Sequence, residues 1–402
     1  LELAARPEVA SIRPDRKIYL TNGERRMAND EQRMANHKSR IPTPQSTIGN
    51  PQLAIHNRQS AIWNISLLGA DKVWSALGID GSGVVVANVD TGVDWQHPAL
   101  QTRYRGYRGK DIAVHTGNWY CTTGEGADAY PVDGYGHGTH TMGTIVGGEG
   151  IGMAPGAQWI AVKAFSNQGY AYDSWIHAAF QWLLAPAGDP ALAPDVVNNS
   201  WGSSVSKDET FRPDLQALRA AGILPVFSAG NEGPDKGSIG SPGSLSEALT
   251  VGATTSDDEV AYFSSRGPSP WGEIKPEVVA PGVGIFSALP GGGYGKKNGT
   301  SMAAPHVTGL VALLLQADPT LTITRTEWII TSTAVPLSPE TPLPNNTWGW
   351  GRVDAYRAVV AVAAAGVLSG TVRRSVDGGP IPGATVTIVP HEKDQKTLRV
   401  LQ

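Results

Sequence analysis

The chain has 402 residues, of which 48 are Gly and 29 Pro, together roughly a fifth against a usual ~12%. Charged residues are 17% against a typical ~25% and apolar residues 41%, which excludes disorder as the main theme and supplies a large core. A net charge of −4 argues against a nucleic-acid footprint, since such domains are usually clearly basic.

Residues 1–20 read as a short helix and a strand, too little to fold alone, and residues 21–60 as a polar linker. The first 50 residues hold nine Lys or Arg against six Asp or Glu, so the remainder is the more acidic part. From Ile62-Trp63 to about Gly366, short continuous apolar runs alternate with helical patterns. That alternation predicts βαβ units and a parallel sheet buried on both faces. The runs are Val84–Val89, Trp159–Val162, Asp195–Val197 and Ile223–Phe227; helical spacing covers Ser174–Ala185 and Pro213–Ala221. After Ser301, the positions Val307, Leu310, Val311 and Leu314 share one face of a long helix, with Pro305 in its first turns.

Asn118-Trp-Tyr-Cys-Thr-Thr-Gly reads as a loop, and Cys121, the only cysteine, as inert and without a disulfide partner. From Ser369 a strand, a turn and a second strand are expected, over Gly370–Arg373 and Ala384–Ile388, as the start of a β module. The longest apolar run, near Val359–Leu368, is far short of the ~20 residues that span a bilayer, so no membrane span is expected. No signal peptide is visible, and an upstream targeting segment is compatible with a chain that starts at Leu1.

Three stretches place a polar residue where the chain leaves a buried element. Val89-Asp90-Thr91-Gly92 sets a carboxylate at the carboxyl end of a strand, the edge where open α/β sheets carry their chemistry. Gly136-His137-Gly138-Thr139-His140 opens an apolar helix, and Gly299-Thr300-Ser301-Met302-Ala303-Ala304-Pro305 puts a hydroxyl at the start of another. A nucleophilic serine needs a base to take its proton, and the base needs a carboxylate to hold its tautomer. Taken singly, an Asp after a strand is more often a helix cap or turn residue, Ser301 reads likewise as an N-cap, and His137 as a satisfied loop histidine. A metal site on His137 and His140 is not favoured, because no further ligand stands at the right spacing.

Asp90-Thr-Gly-Val-Asp94, His137-Gly-Thr-His140, Ser228-Ala-Gly-Asn231-Glu-Gly233 and Gly299 to Pro305, in that order, resemble the subtilisin-like serine proteases over roughly residues 62–366. The stretch Gly117–Tyr120 and the appended strands are most similar to the bacillopeptidase F-like branch. The resemblance implies a three-layer α/β fold with a mainly parallel central sheet, and a secreted endopeptidase of broad specificity. Ser301 would be the nucleophile, His137 the general base, Asp90 its orienting carboxylate and Asn231 an oxyanion donor. Ser200, Trp201 and Gly202 would flank the primary specificity pocket, with Ala229 and Gly230 as the other wall and Gly240 near its base. Glu232 stands at the pocket mouth in this reading and would slightly favour basic side chains.

The resemblance also divides the chain into the tail of an inhibitory propeptide (1–20), a maturation region cut by the enzyme itself (21–61), the peptidase domain (62–366) and a truncated β module of the carboxypeptidase-regulatory type (367–402). Substrates would be proteins and peptides, with the chain's own propeptide as a further partner and a monomer as the working form. No cofactor is expected. Ala99 stands where many subtilisins have a calcium-binding Asp, which puts the usual tight calcium site in doubt, and the sequence locates no other. An imidazole base in its ordinary range near ~6.5 implies activity that falls in acid and persists in alkali. Two other readings are weaker. A catalytically inactive surface protein would not need all four reactive positions with their flanking glycines, and the related Ser-Glu-Asp peptidases expect Glu where His137 stands.

Overall fold

A computed structural model describes residues 15–20, 62–125, 129–337 and 342–363, with two short strands near the carboxyl end. The chain divides into two compact units, Leu1–Ala363 and Ala364–Gln402. In the first, the elements that position the site are β1 (Lys17–Tyr19), β2 (Val85–Asp90), β3 (Trp119–Cys121), α1 (His137–Val146), β4 (Gln158–Lys163), β5 (Tyr170–Tyr172), α2 (Asp173–Leu184), β6 (Val196–Asn199), α3 (Arg212–Ala220), β7 (Leu224–Ser228), β8 (Leu249–Thr254), β9 (Val278–Pro281), β10 (Ile285–Leu289), β11 (Gly293–Lys297) and α4 (Thr300–Ala317). Seven of these strands form one sheet in the order β9-β8-β7-β6-β2-β4-β3, and every neighbouring pair in it is parallel.

Alternation along the strands divides the core in two. Val86, Trp159, Ala161, Val196 and Val226 face α1 and α4, whereas Ala87, Val89, Ile160, Val162 and Phe227 face α2 and α3. Both faces are therefore covered, which is why the strands read as unbroken apolar runs, and the fold is the expected three-layer α/β arrangement. β4 lies on one side of β2 and β6 on the other. The strand order thus reverses at β2, and Asp90 stands at its carboxyl end, the place where open α/β sheets carry their ligand crevice.

One segment departs from expectation. The stretch read as a loop contains β3, the edge strand beside β4. Three residues are too few to show a period, and Gly117 and Asn118 before them signal a turn. Burial decides the matter, because Trp119 is 5% exposed and enters the core while Tyr120 stacks on Trp182 at 5.6 Å. α4 is the one described helix long and apolar enough to cross a membrane, yet 83% of its window is buried inside this unit. In the second unit, β12 (Thr387–Val389) pairs antiparallel with β13 (Arg399–Leu401). The expected strand at Gly370–Arg373, the helix before β1 and the linker 21–60 lie outside the described residues.

Candidate active site

Asp90 ends β2 and His137 begins α1, and the two side chains meet. His137 Nδ1 lies 2.8 and 2.9 Å from the two Asp90 carboxylate oxygens. A carboxylate only accepts, so Nδ1 carries the proton and Nε2 is left with the lone pair. The carboxylate is buried and further held by the Thr91 N–H at 2.7 Å and the Thr141 hydroxyl at 3.4 Å. This approach depends on Gly138, where a Cβ would lie 2.1 Å from the Gly92 carbonyl oxygen and 3.1 Å from Asp90 Cβ.

Asp133, four residues before His137, went unnoticed in the sequence. Its Oδ1 accepts the Gly136 N–H at 2.7 Å, the Tyr135 N–H at 3.1 Å and the Thr91 hydroxyl at 2.8 Å; Oδ2 accepts the Thr139 N–H at 2.8 Å and hydroxyl at 2.7 Å. This carboxylate caps α1 at a distance and clamps its first turn to the residue after Asp90. Beneath it, the buried Lys163 ammonium donates to the Thr91 and Phe165 carbonyls and to Asn167 Oδ1, each at 2.9 Å, with Glu125 at 3.4 Å. The turn after Asp90 is thereby fixed from two sides.

Ser301 occupies the first turn of α4. Its hydroxyl donates to the Ser200 carbonyl at 3.0 Å, and its own carbonyl accepts the Ser200 hydroxyl at 2.8 Å. Asn231 is adjacent: its Oδ1 accepts the Thr300 N–H and hydroxyl, both at 3.0 Å, which orients the amide. At Gly299, φ +142°, a point where a Cβ would stand lies 3.6 Å from both Asn231 Nδ2 and the Ser301 nitrogen. The Asn231 side-chain amide and the Ser301 nitrogen therefore stand side by side next to Gly299, whose φ is one that side-chain-bearing residues rarely adopt. A buried relay joins the two halves: Asn88 Nδ2 donates to Thr141, Asn198 Nδ2 donates to Asn88 and Ser200, and Thr308 donates to Asn198. The only hint of it in the sequence is an Asn inside an otherwise apolar strand.

Trp201 is fully buried among Phe165, Phe180, Phe211 and Phe227, so what it can offer a substrate is its backbone. Gly230 and Gly240 are neighbours, a Cβ at Gly230 standing 3.9 Å from the Gly240 nitrogen, and Ala229 is buried with its N–H bound to the Val251 carbonyl. β1 pairs antiparallel with β5 in the register Ile18 to Ala171, and its other side, with Gly202 and Glu232, lines a pocket of about 510 Å³. Cys121 is half-buried with Sγ 3.4 Å from the Thr123 hydroxyl, and Ala99 is buried.

His140 and His306 are part of the support. His140 Nε2 meets the Ile285 and Gly295 carbonyls of β10 and β11, whereas His306 binds the Met302 carbonyl and Asn64. Burial pushes His140 down to about 3, helped by the positive charge of Lys297, and burial pushes His306 down to about 4. Both rings are neutral in the folded state while the unfolded chain protonates them below ~6.5. Stability is therefore full above that pH and falls on acidification, by up to about 1.4 kcal/mol per pH unit for each ring. Denaturant unfolding at pH 7 and pH 5 checks this; equal unfolding free energies would contradict it.

Residues 81–351 match the model of the subtilase family, peptidase S8. Bacillopeptidase F of Bacillus subtilis (strain 168) is 48% identical over 321 residues, 75% of this chain and 22% of that protein, so the chain spans about a fifth of that relative. Serine protease AprX of the same organism is 32% identical over 70% of this chain and 67% of its own length. Subtilisin E, also from Bacillus subtilis, is 35% identical over 64% of this chain and 62% of its own length. With the family model covering residues 81–351, a span that includes Asp90, His137 and Ser301, the chain belongs to the subtilase family.

Proposed function

We propose that the chain is an extracellular serine endopeptidase of broad specificity that works without a cofactor. Ser301 Oγ attacks the carbonyl carbon of a peptide bond and its proton passes to His137 Nε2, the nitrogen that Asp90 leaves with a lone pair. The C–N bond then breaks, His137 returns the proton to the departing amine, and an acyl ester remains on Ser301. Water, deprotonated by the same ring, hydrolyses the ester and restores the hydroxyl. The first step asks the Ser301 hydroxyl to rotate from Ser200 toward His137, a tightening usual when substrate enters.

The observation that carries this reading is the His137–Asp90 pair, whose 2.8 and 2.9 Å contacts leave Nε2 as the base. Asn231, whose Oδ1 is held by the Thr300 N–H and hydroxyl, would present its amide N–H to the developing oxyanion together with the Ser301 N–H. A substrate strand would lie on the backbone of Ser200 to Gly202, with Ala229, Gly230 and Gly240 forming the side-chain pocket, so affinity comes largely from main-chain pairing. The antiparallel pairing of β1 with β5 supports residues 1–20 as the tail of an inhibitory propeptide.

A fluorophosphonate probe is expected to label the chain at a single residue, Ser301, and the Ser301→Ala chain is expected to remain unlabelled. Labelling that persists in the alanine variant would sink the assignment.

A further inference from the structure

β1 is held by more than its backbone. Its direction is fixed: the Leu20 N–H binds the Gly169 carbonyl at 2.8 Å, and a Cβ on Gly169 would stand 2.9 Å from Tyr135, two residues before His137. Leu20 therefore points toward the catalytic end and Arg16 lies at the far end, where the Asp173 N–H binds the Arg16 carbonyl at 3.0 Å. Ile18 and Leu20 are buried while Tyr19 is exposed, as strand alternation requires.

At the far end the three guanidinium nitrogens of Arg16 each find a different acceptor. Nε donates to Asp173 Oδ2 at 2.7 Å, Nη1 to Asp208 Oδ2 at 2.7 Å, and Nη2 to the Thr210 hydroxyl at 2.9 Å. The acceptors are held by bonds of their own. Asp208 Oδ1 accepts the Thr210 N–H at 3.0 Å and hydroxyl at 2.7 Å, and the Asp208 carbonyl accepts the Ser241 hydroxyl at 2.6 Å. The Asp173 side chain is 91% buried and its Oδ1 has no hydrogen-bond partner, so removal of Arg16 leaves a poorly solvated carboxylate. Burial alone would raise Asp208, but the bonds from Arg16 and Thr210 hold it below the ordinary carboxylate range.

We infer that Asp173, Asp208 and Thr210 form an arginine-recognising subsite for substrates, at the position four residues before the one that Leu20 occupies. The inference rests on the peptidase reading above and adds its distal specificity. A substrate strand running in the direction of β1 delivers a side chain there once the chain's own segment leaves. Three acceptors around a planar fork select arginine over lysine, whose single ammonium cannot reach all three.

The test uses the full chain carrying Arg16→Ala, whose amino-terminal strand, no longer anchored by the guanidinium, is to be displaced by added peptide. Quenched fluorescent peptides Arg-Lys-Ile-Tyr-Leu-Thr-Asn-Gly, with arginine replaced by lysine or by uncharged citrulline, are compared with Ile-Tyr-Leu-Thr-Asn-Gly. The arginine peptide is expected to show a kcat/KM about tenfold above the citrulline peptide, mainly through KM, a size typical of charge-assisted hydrogen bonds. Lysine should fall between them, and adding Asp208→Asn should bring the arginine-to-citrulline ratio near one. Equal values for arginine and citrulline in the Arg16→Ala chain, or a ratio that survives Asp208→Asn, would overturn the subsite while leaving the peptidase reading intact. Fluorophosphonate labelling of Ser301 in the same chain tests the peptidase reading separately, and a chain that is not labelled fails that reading and the subsite with it.

Discussion

Replacing Ser301 by alanine is expected to lower kcat about a millionfold, the magnitude established for the corresponding triad in subtilisin, while the fold stays in place. The hydroxyl makes one hydrogen bond, to the Ser200 carbonyl, and the reciprocal bond from Ser200 to the Ser301 carbonyl is untouched by the substitution. A single neutral hydrogen bond contributes about 1 kcal/mol, a small part of a domain's stability. His137→Ala should be nearly as damaging, and the double variant no worse than either, because nucleophile and base act in one step. Peptide hydrolysis together with thermal unfolding of the three proteins checks both halves. A double variant a thousandfold slower than the singles would show that the two residues act independently.

Asp90→Asn should lower kcat about 10⁴-fold with the geometry almost unchanged. In the wild-type chain, Asp90 Oδ1 accepts the Thr91 N–H at 2.7 Å and both carboxylate oxygens face His137 Nδ1. An asparagine keeps its carbonyl oxygen on Thr91, which turns its NH₂ toward the imidazole. Nδ1 must then accept instead of donate, the ring proton moves to Nε2, and that nitrogen has no lone pair left for the Ser301 proton. Fluorophosphonate labelling of Ser301 should slow in parallel with hydrolysis. Activity within tenfold of wild type would mean that Asp90 does not set the tautomer.

The sequence disclosed those parts of the site whose chemistry is local. Asp90, His137 and Ser301 each sit at the junction of an apolar run and a glycine, and the junctions are visible without knowing what lies across the sheet. The strands showed because burial on both faces makes them apolar throughout, and β3 stayed hidden because three residues cannot display a pattern. What could not be read is everything that depends on partners distant along the chain. Asn88 and Asn198 are 110 positions apart, and Arg16 and Asp208 are 192 apart. Asp133 is close to His137 in sequence, but its task of tying α1 to Thr91 appears only once β2 and α1 have met.

The order in which those partners leave the ribosome matters for the cell that makes this protein. Everything that receives β1, from Gly169 through Asp173 to Asp208 and Thr210, precedes Ser301 by about a hundred residues or more. At synthesis rates of roughly 5–20 residues per second, the residues that receive β1 are made several seconds before Ser301. Strand and receptors are thus both synthesised before Ser301 exists.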